Sequence, residues 1–160
     1  MLVPVAVNIS PQQLMQADFV EEVESILRQY DIQPELIELE ITEGMVMENM
    51  DACIGRLNIL RQRGHKISVD DFGTGYSSLS YIKDLPIDIL KIDKYFVDDI
   101  CTDEKSYILL KSMIEMGHNL GYEVTVEGIE TQAQFDLIKG LDSKSAQGFL
   151  FSKPVHVNQL

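Results

Sequence analysis

Apolar residues recur along the chain with two periods. Strand-like alternation or short β-rich runs fall at 3–8 (VPVAVN), 37–41 (IELEI), 66–71 (KISVDD), 88–92 (DILKI), 122–127 (YEVTVE) and 145–149 (SAQGF). Helical spacing fills the intervals. The first helix is expected to open at Ser10, with Pro11 at its first position and Gln13 closing a capping box, and to bury Phe19, Val23, Ile26, Leu27 and Tyr30. A second stripe joins Val46, Met50, Ile54, Leu57 and Leu60 and stops at Gly64. A third joins Leu109, Met113, Met116 and Leu120 and ends at Gly121, a natural left-handed cap. Thr131 and Gln134 form a second capping box before the last clear helix. Strands alternating with helices predict an α/β fold with a parallel sheet.

The phase of the strands carries more. Side chains alternate between faces. Val5 and Val7, Leu39 and Ile41, Ile67 and Val69, Leu90 and Ile92, and Val124 and Val126 make a face for helices. The opposite face carries Asn8, Glu40, Asp70, Lys91, Glu127 and Gln147 near the strand ends. In a flat doubly wound sheet both faces meet helices, and burying those carboxylates without partners is costly. In a closed barrel the second face points inward, and its polar groups meet at the C-terminal rim, where parallel barrels carry their chemistry.

Charge sharpens the reading. The chain holds 13 Lys and Arg against 26 Asp and Glu, a net charge of −13, with no basic cluster, so a DNA or RNA duplex is not an expected partner. Its 160 residues suit one domain. No apolar run approaches the roughly 20 residues of a membrane span, and no leader is visible, so this segment is expected to make no membrane contact. Cys53 and Cys101 have no metal-like spacing and read as buried thiols of a reducing compartment. His65, His118 and His156 read as packing or surface residues, and Asp93 as a cap for a helix near Lys94.

Asn8, Glu40, Asp70, Asp71 and Glu127 offer only oxygen, the donor preferred by Mg²⁺, Mn²⁺ or Ca²⁺. The adjacent Asp70 and Asp71 would let two ions share a side chain. Such a cluster would receive a phosphodiester and polarise a water, with Lys91 holding that water or stabilising charge on the phosphate. Asp70 opens the segment DDFGTGYSSL (70–79). There Gly73 and Gly75 permit close backbone approach, Ser77 and Ser78 can cap the next helix, and Phe72 and Tyr76 are candidates for base stacking or local packing. The alternative is a solvated acidic rim without metal.

VNIS (7–10), EITE (40–43), DDFGTGYSSL (70–79), LKID (90–93), VEGIET (126–131) and QGFLFSKP (147–154) resemble, in order, the motifs of the EAL-domain family. The resemblance implies a (β/α)₈ TIM-like barrel of the EAL type and bacterial second-messenger signalling. The activity it implies is metal-dependent hydrolysis of cyclic-di-GMP to linear pGpG. It implies metal ligands at Asn8, Glu40 and Asp70, metal contact by Asp71, a further metal-site and catalytic glutamate at Glu127, and a water-positioning lysine at Lys91. It further implies a loop anchor at Glu43, lining residues at Glu130 and Gln147, and support of the ligands by Thr42. Two Mg²⁺ or Mn²⁺ ions, inhibition by Ca²⁺, a homodimer and a cytoplasmic setting, in a parent free to carry a membrane anchor, follow from the same resemblance.

The Glu-Ala-Leu motif itself and the phosphate-gripping arginine after it do not occur in the chain. Residues 1–160 are therefore expected to be a partial EAL domain, from the third family strand to the last, with about six of eight strands. Three functional readings stand side by side: a phosphodiesterase, a module that binds cyclic-di-GMP without cutting it, and an inactive truncated scaffold.

Overall fold

Wherever the alternation predicts a strand, one forms. The computed structural model of the chain describes residues 4–48, 50–75, 81–141, 143–156 and 158. These fall into two units, residues 1–90 and 91–160.

The first unit is organised by three parallel strands, β1 (Val5–Asn8), β2 (Ile37–Thr42) and β3 (Lys66–Phe72). Their register sets Ala6 beside Glu38 and Glu38 beside Lys66. One step on, Asn8 lies beside Glu40 and Glu40 beside Ser68, and a further step on, Thr42 lies beside Asp70. Because side chains alternate, these rows share one face of the sheet. The other face buries Leu39, Ile41, Ile67 and Val69. Asp88, just before β4 (Ile89–Ile92), donates its backbone N–H to Ile67 O at 2.9 Å.

β1 departs from the expected burial. Val5 and Val7, expected under helices, are 58% and 40% exposed, because no described element covers them. The first predicted helix also divides, into α1 (Pro11–Met15) and α2 (Phe19–Gln29). Leu14 and Phe19 are both buried, yet five residues of helix turn through about 140° away from a shared face, so one continuous helix could not bury both. Gln16 adopts an extended ψ of 138° and resets the direction. In α2 the buried residues are Phe19, Val20 and Leu27; Ile26 and Tyr30, expected inside, are exposed. The Ser10–Gln13 capping box forms as predicted.

The second predicted stripe spans two helices, α3 (Glu43–Glu48) and α4 (Met50–Gln62), which bury Val46, Cys53, Leu57 and Leu60. His65 is buried, with Nε2 3.5 Å from Glu24 Oε1.

In the second unit Glu127, just beyond β5 (Glu123–Val126), donates its N–H to Ile92 O of β4 at 3.0 Å. β6 (Ser145–Ala146) pairs parallel with β5 and is shorter than the predicted 145–149. Its backbone bonding continues irregularly: Gln147 N–H donates to Val126 O, and Gln147 O accepts from Ile129 N–H. α5 (Glu104–Asn119) buries Leu110, Met113, Ile114 and Gly117. The stripe is thus turned by one residue from the expected one, leaving Leu109 and Leu120 exposed. Gly121 ends it with φ +86°, the left-handed conformation expected there. α6 (Gln132–Lys139) starts on the predicted Thr131–Gln134 capping box. Asp93 caps a short 3₁₀ turn over Lys94–Phe96, accepting Tyr95 N–H at 2.9 Å. Cys101, expected to be buried, is exposed; Cys53 is buried.

No helix among the described residues is long and apolar enough to cross a membrane.

Candidate functional site

Strand pairing alone brings an amide and a carboxylate together in the first unit. Asn8 ends β1 and faces Glu40 across the ladder; Asp70 lies one step further along, beside Thr42. Glu40 is 6% exposed, Asp70 is half-buried, and Asn8, Thr42 and Asp71 reach solvent. On the same face Glu38 Oε1 and Ser68 Oγ are buried without a hydrogen-bond partner.

β3 loses its alternation at Asp71, whose φ is +56°, the left-handed region that a non-glycine residue seldom occupies. The neighbouring Asp70 Oδ1 accepts the Asp71 N–H at 2.9 Å. Asp71 O in turn accepts Thr74 N–H at 3.3 Å and the Thr74 hydroxyl at 2.9 Å. Phe72 is 2% exposed, so of its two expected roles it takes local packing. Gly73, with φ +94°, continues the turn, and Gly75 is exposed. Tyr76, Ser77 and Ser78 lie outside the described residues.

Glu43 follows β2 directly as the first residue of α3 and is 3% exposed. Its Oε2 accepts the Gly73 N–H at 3.0 Å, and its Oε1 accepts the Tyr81 hydroxyl. A buried carboxylate that receives two donors is a strong fixed point. Tyr81 has no distinguishing position in the sequence; only its hydrogen bond draws it out.

The second unit holds the remaining predicted residues. Lys91, in β4, is buried, and its Nζ lies 3.0 Å from Glu127 Oε1. The Glu130 carboxylate is paired with Lys94, an exposed pair whose hydrogen bond raises the Lys94 ammonium above its ordinary pKa. The Gln147 side chain is exposed, while its backbone closes the end of the β5–β6 ladder. The sequence marks Lys94 only as the start of a helix, and nothing in its spacing points to Glu130.

The donors suit a hard cation: Asn8, Glu40, Asp70, Asp71 and Glu127 present oxygen only. Among the described residues no three His, Cys, Asp or Glu side chains are gathered as an ion would need. Asp70 Oδ1 accepts the Asp71 amide, the left-handed φ takes Asp71 out of strand phase, and Glu127 Oε1 lies 3.0 Å from Lys91 Nζ. In the first unit the register sets amide and carboxylate oxygens on one face, and that donor set fits divalent metal.

A family model described as EAL domain matches residues 2–154. The signalling protein YkoW of Bacillus subtilis is 46% identical over 157 residues, 97% of this chain and 19% of YkoW. The solved structure described as PaMucR phosphodiesterase in complex with c-di-GMP superposes with a TM-score of 0.91 at 37% identity, covering 98% of this chain and 63% of that one. BlrP1 of Klebsiella pneumoniae, solved as manganese/c-di-GMP and calcium/c-di-GMP complexes, has a TM-score of 0.87 at 31% identity, over 94% of this chain and 39% of that one. The chain spans about a fifth of the length of the curated relatives it matches.

Proposed function

The chain belongs to the EAL domain family, and on that premise we propose that it carries part of a metal-dependent phosphodiesterase that hydrolyses cyclic-di-GMP to linear pGpG. Its fold is α/β, an incomplete (β/α)₈ TIM-like barrel of the EAL type, with six strands among the described residues. Residues 1–160 form a partial EAL domain on this reading, from the third family strand to the last.

The observation that carries the proposal is the register of β1, β2 and β3. It sets Asn8 beside Glu40, with Asp70 one step along on the same face. Asn8, Glu40, Asp70 and Asp71 would supply oxygen ligands to two Mg²⁺ or Mn²⁺ ions, with Glu127 the further metal-site glutamate that the family motif implies. Bound divalent ions supply Lewis acidity toward the phosphodiester and lower the pKa of water. Lys91 orients the attacking water, and Glu127 sets the position of the Lys91 ammonium through their ion pair. Glu43 anchors Gly73, and with it the loop bearing Gly75; Thr42 supports Asp70 across the ladder. Glu130 and Gln147 line the substrate side. Ca²⁺ would compete for the same oxygen ligands and inhibit. The reaction belongs to the cytoplasm. Self-association as a homodimer, through helices near the DFGTG segment, is part of the same reading.

Incubation of the purified full-length parent protein that carries this chain with cyclic-di-GMP and Mn²⁺, followed by chromatography, tests the proposal. Appearance of pGpG is expected, with loss of roughly 10²–10⁴-fold in rate for Asp70→Asn and Lys91→Ala. Calcium-dependent binding without product would identify a module that binds and does not cut; neither binding nor product would identify a scaffold. Unchanged turnover in Lys91→Ala would remove the mechanism.

A further inference from the structure

Glu43 is bound through both of its carboxylate oxygens. One accepts the Gly73 amide at 3.0 Å and the other accepts the hydroxyl of Tyr81. Both side chains are withdrawn from solvent, at 3% and 6% exposure. The last torsion of a glutamate is broad, so a carboxylate held at one oxygen still swings; held at both, it has one orientation. What hangs from it is a strained turn. Asp71 has φ +56° and Gly73 has φ +94°, and the Gly73 amide is the donor through which this turn reaches α3.

Resting on the functional reading above, we propose that Tyr81 is a positioning residue of that site. Its hydroxyl locks the Glu43 carboxylate, which fixes Gly73 and thereby the Asp70-Asp71 end of β3. The ring of Tyr81 supplies burial and its hydroxyl supplies the lock, so the two contributions separate in Tyr81→Phe. That variant keeps the apolar contact and removes one donor from a buried carboxylate oxygen.

Amide exchange followed by NMR on the whole chain reads the lock without reference to activity. In Tyr81→Phe the Gly73 amide is expected to exchange roughly fivefold to tenfold faster, while Leu39 and Ile67 in the strands keep their rates. In a Glu43→Ala background the same substitution is expected to add nothing; Glu43→Gln, which preserves volume, serves as the background if the alanine variant does not fold. Mn²⁺ titration is expected to weaken at least threefold in Tyr81→Phe. An unchanged Gly73 rate overturns the proposal, as does a uniform acceleration of all three amides or an effect that persists without Glu43. If the wild-type parent protein takes up no Mn²⁺ and yields no pGpG while Tyr81→Phe still accelerates Gly73 exchange, the functional reading and the metal-site role of Tyr81 are overturned together, leaving only the local lock.

Discussion

Replacing Glu127 by Gln, Lys91 by Met, and both together tests the polar pair of the second unit. The Lys91 and Glu127 side chains are 9% and 19% exposed, and Nζ and Oε1 are 3.0 Å apart. At an effective dielectric of about 20 that separation corresponds to a gross attraction of about 5–6 kcal/mol. Desolvation of both charges removes more than half of it, leaving a coupling of about 1.5–3 kcal/mol. Glu127→Gln keeps the shape and removes the counter-charge, so an ammonium stays in a buried position; the expected cost is about 2–3 kcal/mol. Lys91→Met removes the buried charge and keeps the length, and the remaining carboxylate retains access to water, so it should cost about 0–1 kcal/mol. The double variant should therefore be more stable than Glu127→Gln alone. Urea denaturation of the four proteins supplies the cycle. Single effects that add to within about 0.5 kcal/mol would refute the claim that these residues act as one unit.

Other substitutions probe the packing and the caps. Leu110→Ala should lower stability by about 2–5 kcal/mol in urea melts, while the adjacent Leu109→Ala, at an exposed position, should stay within about 0.5 kcal/mol. Equal costs would contradict the observed face of α5. Thr131→Ala removes the cap that accepts Gln134 N–H and should cost about 1 kcal/mol by thermal denaturation. His65 has its imidazole pKa held below the usual value, first by burial, against the opposing pull of the Glu24 carboxylate 3.5 Å away; Glu35 acts with Glu24, and Arg63 acts with burial. Well above pH 6.5, the ordinary imidazole pKa, native and unfolded His65 are both neutral, so its contribution is complete there. As pH falls below that, the unfolded chain takes a proton that the native state resists. Stability should drop by up to about 1.4 kcal/mol per pH unit until the native pKa is reached. Urea midpoints from pH 7.5 to 5 should show this slope, and His65→Leu should flatten it.

Local rules make much of this protein legible in its sequence. Capping boxes at Ser10 and Thr131, the Asp93 cap and the Gly121 helix end need only neighbouring residues, and each appears where the spacing places it. The strand positions were equally clear, because period-two alternation belongs to the chain itself. The rotational setting of α5 and the exposure of Val5 and Val7 were not, since a stripe such as Leu109–Met113–Met116 differs from the buried one by a single residue and only a packed neighbour selects between them.

The same division runs through the candidate site. Order and identity of the oxygen donors were written in the chain, and strand phase alone put Asn8, Glu40 and Asp70 on one face. Their pairwise register, the left-handed Asp71, the partnership of Lys91 with Glu127 and the hold of Tyr81 on Glu43 came only with the tertiary structure. Periodicity states which way a side chain points relative to its neighbours in sequence. Hydrogen-bond partners separated by 36 or 38 residues depend instead on how distant segments pack, and that is decided by the whole fold.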